Sequence, residues 1–463
     1  MDYVVTCIKS SSSRSYHCVM LGGDGADMLE AGSPDMLELG DIVEIREGVA
    51  ISRGGKSEAG EIIAHADRLA GLLAAGSPYK SGIKEADDVI PRMWPTLLSA
   101  SRLLVRKLLL GAPVIVHFHN DADGASGAYV LYKSIEDLRS GGALRGECDA
   151  IWLMNRGVTY DVTDANHDRD IASGFSAIDK PLLVIIDFGT SVGSNLGIRH
   201  IVDQFDVIWL DHHPVEEGFA GAQLPLYINP WKFGGDSNIT AGFLSAVFSK
   251  TISRMDTREI ENASFIGDYS SYADKRSGGT DLATLLDMIT SDVRIATGRP
   301  SKNITPKEID AIISDKQKYK ELLAYAKTRM SDTIGMAMKS IKRYKAGDSA
   351  IYLSEFDRLR GDDTKYPLPG RFSSKLLEQI IASGSGHAIL ILHFGSFISI
   401  RVDGAIADSV GLLGIIAELK DRYAEEIESG GGHKNAANIK LAQGYDKAEI
   451  IKELISMLKS RLK

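Results

Sequence analysis

Apolar positions along the 463-residue chain follow three successive patterns. Residues 1–58 alternate short β-like pieces (DYVVTCI, YHCVML, DIVEIRE) with turns of Gly, Ser and Asp, which predicts a small β-rich unit, OB-like in outline. From Ile62 the period turns helical through IIAHADRLAGLLAAG and WPTLLSASRLLVRKLLLG and stops at Gly111, a helical preface over residues 59–112. Four short runs, APVIVHF, CDAIWLM, PLLVIID and FDVIWLD, are then separated by helix-length segments. Runs apolar throughout suit strands covered on both faces, so residues 113–275 are expected to form an α/β domain around a parallel sheet. Residues 276–346 read as a helical connector (TDLATLLDMI, KELLAYAKTRM), and residues 347–463 as a smaller α+β domain closing on the amphipathic KAEIIKELISMLKSRL.

Composition, at 44% hydrophobic and 25% charged residues, is that of an ordinary folded protein. Asp2 stands where a secretory signal favours positive charge, and no run reaches the length of a membrane helix, so the expected location is cytoplasmic. Cys7, Cys18 and Cys148 show no CxxC spacing, which excludes a zinc ribbon and a disulfide framework. A net charge of −9 argues against a generally basic nucleic-acid surface but leaves room for a local groove. The segment between Asp315 and Lys345 carries Lys316, Lys318, Lys320, Lys327, Arg329, Lys339, Lys342, Arg343 and Lys345 against few acids, and reads either as such a groove or as a solvated helix face.

The chemistry gathers where the strands end. VIVHFHNDADG delivers His119, Asp121 and Asp123; LLVIIDFG delivers Asp187; VIWLDHHP delivers Asp211, His212 and His213. In open parallel sheets, ligands bind beyond the carboxyl ends of the strands. Three strands therefore bring carboxylates and imidazoles to one edge, where they would repel one another without cations. Two divalent ions remove the repulsion, and carboxylate-plus-imidazole ligation without thiolates suits Mn²⁺ or Mg²⁺.

At these residues the sequence resembles the DHH phosphoesterases. HNDADG looks like the first motif of that family, IIDFG its second and DHHP its third. The fourth, an acid after a later helix, falls on Asp268 of NASFIGDYSSYADKR, or in another register on Asp274. In the last domain, ESGGGHKNAANI is similar to the GGGH motif of the companion DHHA1 domain, with Gly430, Gly431, Gly432 and His433, and ISIR supplies Arg401. Independently of the resemblance, successive glycines let backbone N–H groups approach a phosphate. The likeness runs from about Val114 to the C-terminus.

What the resemblance implies is one metal on His119, Asp121 and a bridging Asp187, and a second on Asp123, Asp187, His212 and Asp268. Asp211 would orient the neighbouring imidazole, His213 would face the scissile phosphate, and His433, Arg401 and Arg371 would hold the substrate from the second domain. The expected reaction is phosphodiester hydrolysis assisted by two metals. The large N-terminal additions favour a RecJ-like exonuclease of the archaeal branch, acting on single-stranded DNA or RNA in replication or repair. The alternatives are a small phosphodiesterase for short oligonucleotides or cyclic dinucleotides, and a replication scaffold with little nuclease activity. The GINS replication complex is the partner this branch implies. Asp236, in NPWKFGGDSNITAG, is read as a loop residue or as a further ligand.

Overall fold

A computed structural model describes residues 3–9, 15–20, 28–33, 36–47, 49–141, 150–360, 364–384, 386–442, 444–445 and 447–462, without the Arg360 and His433 side chains. Cys148 lies outside the described residues. The chain divides into two compact units, residues 1–294 with 298–319, and residues 295–297 with 320–463.

The first unit opens with an antiparallel sheet in the order Met28–Ala31, Ser15–Met20, Tyr3–Lys9, Asp41–Arg46, Val49–Lys56. A strand from much later in the chain, Phe175–Ala177, pairs antiparallel with Tyr3–Lys9. Two helices follow, Ala59–Leu73 and Lys84–Leu110, and the second stops at Gly111, which takes the left-handed conformation as its cap.

The four apolar runs form the expected parallel sheet. A short fifth strand completes the order Tyr227–Ile228, Asp206–Leu210, Leu182–Ile186, Val114–His119, Ile151–Asn155. Alternate side chains enter two cores: Val116, Phe118, Val184 and Ile208 pack on one face, Ile115, Leu183, Ile185 and Trp209 on the other. Burial on both faces is why these runs carry no polar alternation. From its first strand, Val114–His119, the chain passes to one neighbour, Ile151–Asn155, and then returns to the other, Leu182–Ile186. The topological switch point therefore lies between His119 and Asp187, and an open α/β sheet has its ligand crevice at such a point.

The second unit holds a six-stranded sheet in the order Lys342–Ala346, Ser349–Glu355, His387–Phe394, Phe397–Val402, Ala436–Leu441, Ile427–His433. Only the pair Ser349–Glu355 and His387–Phe394 is parallel. Helix Pro369–Ala382 covers one face; helices Leu412–Arg422 and Lys447–Arg461 cover the other. Among the described residues no helix is long and apolar enough to cross a membrane.

Candidate metal centre

His119 ends the strand Val114–His119, and the chain turns at once into helix Ala122–Ser140. Asp121 is the N-cap of that helix, its Oδ1 accepting the Gly124 N–H at 3.0 Å. The turn is tight enough to require glycine at 124, where a Cβ would lie 2.5 Å from the His119 carbonyl oxygen. With Oδ1 engaged in the cap, Asp121 Oδ2 meets His119 Nδ1 at 2.7 Å. Asp187 follows strand Leu182–Ile186 with φ +71°, a left-handed conformation that Asp tolerates better than most residues, and its Oδ2 lies 3.8 Å from His119 Nδ1.

Asp123 enters the same space from the first turn of the helix. Its Oδ2 accepts the N–H of Ala241 and its Oδ1 that of Gly242, both at 2.8 Å, so it also caps helix Ala241–Ser249; the Ser264 hydroxyl donates to Oδ1.

Asp211 and the two histidines follow strand Asp206–Leu210. Asp211 is fully buried, and four donors occupy its carboxylate: the Thr190 hydroxyl, the His212 N–H, the His213 N–H and His213 Nδ1–H. The loop after Asn229 holds the His212–His213 backbone, because Asn229 Nδ2 donates to the His213 carbonyl, and Trp231 Nε1 and Ser237 Oγ donate to that of His212. His212 Nδ1 sits 2.8 Å from the Ser237 carbonyl oxygen, a contact that places the proton on Nδ1 in the neutral ring and leaves the Nε2 lone pair free. Nε2 is buried and makes no hydrogen bond among the described residues. Around it stand Asp187 Oδ1 at 3.3 Å, Asp123 Oδ2 at 3.6 Å and Asp268 Oδ2 at 3.6 Å.

Electrostatics mark the same spot as a cation site. Burial, reinforced by the charges of Asp123 and Asp121, pushes Asp187 well above the usual carboxylate range. Burial also lifts Asp123, and it lifts Asp268 to about 6 against the pull of His212. Burial works against a charged His212, but Asp268, Asp123 and Asp211 outweigh it and raise the ring to about 9. Asp211 does the same for His213, again to about 9. Asp121 moves the other way: His119 and the Gly124 N–H overcome its burial and hold it low.

The donor set fits divalent ions. Adjacent ligand atoms around a six-coordinate ion with bonds of about 2.1 Å lie roughly 3 Å apart, close to the 3.3–3.6 Å separations around His212 Nε2. Among the described residues, ligand atoms within 4.8 Å of one another fall into two groups, His119–Asp121–Asp187 and Asp187–Asp211–His212–His213, which share Asp187. Of the two acids open to the fourth motif, the fold brings Asp268 to the cluster, at the end of helix Arg258–Gly267, while Asp274 is exposed in the turn Ser271–Lys275. Asp236 is exposed and engaged with Asn238.

The remaining candidates lie in the second unit. Arg371 is buried on helix Pro369–Ala382, and Arg401 Nε donates to Ser374 of that helix at 3.2 Å. Gly430–Gly432 occupy the strand Ile427–His433 at one end of the sheet. Gly432, at φ +147°, approaches the neighbouring strand so closely that a Cβ would lie 2.3 Å from the Ala436 oxygen. Strand register sets Arg401 opposite Ala436, and Ala436 opposite His433, so the two motifs share one cross-strand row.

Sequence reasoning missed Thr190, Ser237 and Ser264. Ser264 had a readable signal, standing four residues before Asp268 on one helix face. Thr190 and the Ser237 carbonyl act through loop geometry and carry none.

No family model matches the chain. An uncharacterized protein of Methanocaldococcus jannaschii is 22% identical over 423 residues, 81% of this chain and 55% of that protein, so the chain spans little more than half its length. Among solved structures, the DHH domain of a member of a ribosomal-protein family has a TM-score of 0.69 at 20% identity, over 87% of this chain and 97% of that one. RecJ from Thermus thermophilus, in complex with Mn²⁺, has a TM-score of 0.50 at 12% identity, over 86% of this chain and 60% of that one. At these identities the likeness is one of fold. The chain thus has the fold of the DHH-domain proteins, with RecJ-like proteins among its relatives in that fold.

Proposed function

We propose that the cluster is a two-metal phosphodiesterase centre and that the protein is a RecJ-like exonuclease releasing mononucleotides from single-stranded DNA or RNA. The observation that carries this reading is the buried Nε2 of His212, without a hydrogen bond and ringed by Asp187, Asp123 and Asp268, beside a second ligand group that shares Asp187. His119, Asp121 and Asp187 would hold one ion; Asp123, Asp187, His212 and Asp268 would hold the other. Asp211 has a ligand atom within 4.8 Å of those of Asp187, His212 and His213, but the four donors on its carboxylate make it the group that orients His213 and the His212 backbone. When bound, Mn²⁺ or Mg²⁺ supplies activation of the attacking water and neutralisation of charge on the phosphate oxygens.

The chain's own residues do the rest. His213 is 46% exposed and keeps Nδ1 on Asp211, a contact that orients the ring so that Nε2 can face a phosphate oxygen. Arg401, Arg371, the Gly430–Gly432 backbone and His433 are assigned to the nucleic-acid backbone. The Mn²⁺ in the RecJ structure of the same fold supports the choice of metal. GINS is the replication partner proposed for the full protein.

Single-stranded DNA and RNA, labelled separately at each end, together with very short oligonucleotides, test the proposal in Mn²⁺, Mg²⁺ or EDTA. An Asp211→Ala, His212→Ala protein and the milder Asp268→Ala run beside the wild type. Metal-dependent release of mononucleotides from long strands, lost in both variants, is the expected result, and the label released first gives the polarity. Cleavage confined to the short oligonucleotides would make the protein a small phosphodiesterase. No cleavage under any metal would reject the enzyme and leave the scaffold.

A further inference from the structure

The second unit contains a cavity that the proposed chemistry does not use. It measures about 560 Å³ and lies between helix Lys447–Arg461 and the sheet strands Lys342–Ala346, Ser349–Glu355 and His387–Phe394. Its floor is apolar, made by Tyr344, Leu353, Ile451 and Ile455, and its rim is basic, made by Lys447, Lys452 and Lys459. No acid lines it among the described residues. His393 also borders the cavity, and its Nδ1 is buried without a hydrogen-bond partner among the described residues. Glu355 and Asp357 act on His393 electrostatically but do not line the space.

The helix sorts its charges by face. Lys447, Ile451, Ile455 and Lys459 recur every four residues and share the cavity side with Lys452. Glu453 instead pairs with Arg422, and Glu449 acts on Tyr423, towards helix Leu412–Arg422. Among the described residues none of the three lysines has a carboxylate partner. Lys459 Nζ stands 5.4 Å from the centre of the Tyr344 ring, and Lys447 donates to the Gly395 carbonyl at 3.4 Å. Three ammonium groups around one recess repel one another and concentrate anions. The volume falls within the range of roughly 300–1,000 Å³ usual for small-ligand sites, and an apolar floor beneath a few convergent charges is their usual composition.

We infer that this cavity binds a nucleoside phosphate, with the base against Tyr344 and Leu353 and the phosphate held by Lys447, Lys452 and Lys459. The lysines supply charge complementarity to phosphate, and the aromatic and aliphatic floor supplies area for a ring that inorganic phosphate lacks. The assignment is independent of the metal centre, since it uses none of the residues placed there.

Calorimetric titration of the full chain in EDTA, which removes metal-bound phosphate as a competing route, tests the inference with adenosine 5′-monophosphate, adenosine and inorganic phosphate. The monophosphate is expected to bind one per chain, at least tenfold tighter than either of the others. Combined Lys452→Glu and Lys459→Glu should weaken it at least tenfold. Ser456→Trp, at an exposed position lining the cavity, should do the same by filling the space without changing charge. Lys339→Glu, an exposed lysine outside the cavity, should leave binding unchanged, and circular dichroism checks that each variant folds. Monophosphate binding no tighter than phosphate, binding that survives in both cavity variants, or an equal loss with Lys339→Glu overturns the assignment.

Discussion

Asp211 looks in the sequence like one more ligand, and in the structure it is the most fully engaged carboxylate of the cluster. Thr190, His212 and His213 all donate to it, so its work is to fix two successive residues. Removing the Thr190 hydroxyl leaves that buried carboxylate short of a donor and loosens both histidines. Thr190→Val is therefore expected to weaken Mn²⁺ binding by about 10–100-fold, the usual effect of losing a group that orients a ligand. Calorimetric titration with Mn²⁺ measures this, with unchanged far-UV circular dichroism as control; an unchanged affinity would remove Thr190 from the site. The choice between Asp268 and Asp274 also belongs to this scale. Both fit the motif spacing, and only the end of helix Arg258–Gly267 carries Asp268 to His212.

Elements decide how near the ligands come. Helix Ala122–Ser140 starts directly beneath the strand end, and Gly124 lets it do so: a Cβ there would lie 2.5 Å from the His119 oxygen and 2.7 Å from its nitrogen. Those atoms are backbone and cannot turn aside. Gly124→Ala is expected to cost about 1–3 kcal/mol of stability, as other overpacked sites do, and to weaken metal binding by moving Asp121 and Asp123 away from His119. Urea unfolding and Mn²⁺ titration read the two effects; loss of stability with full metal affinity would refute the second. Elements also show where sequence pattern misleads. The apolar spacing starts the second helix at Trp94, yet the helix begins at Lys84 and contains Pro91 and Pro95. Proline removes a helical hydrogen bond, but Ala86, Val89, Ile90 and Met93 bury a continuous face, and that burial holds the first turns in helix.

At the scale of the molecule, the N-terminal sheet is tied to the rest of its unit by contacts far apart in sequence. Phe175–Ala177 adds a strand to it, and His17 Nε2 meets the Leu109 carbonyl oxygen at 3.2 Å, at the end of the long helix. Burial lowers the His17 pKa, only partly countered by that contact. At a pH above about 6.5 the ring is neutral in both folded and unfolded chains, and its full contribution to stability is present. As pH falls below that value the unfolded chain takes up a proton that the folded chain refuses, so stability declines. The melting temperature should therefore fall between pH 7.5 and 5.5, and by less in His17→Gln, which keeps an N–H donor; equal falls in both would refute the coupling.

The strands of the parallel sheet, the helix stop at Gly111 and the acids at three strand ends were legible because each is written in neighbouring residues: an unbroken apolar run, a glycine after a periodic stretch, charge where the run ends. Strand order is not local. That His119 and Asp187 flank the switch point follows from which strands pair, a matter of packing helices on both faces of the sheet. The same holds for the Ser237 carbonyl behind His212, for the strand Phe175–Ala177 beside Tyr3–Lys9, and for the glycine run Gly430–Gly432, which pairs as a strand because Ala436–Leu441 lies beside it. Sequence alone determined which residues carry charge to the edge of a sheet. Tertiary structure decided which of them meet, because hydrogen bonds and electrostatic repulsion act through distances that chain separation does not record.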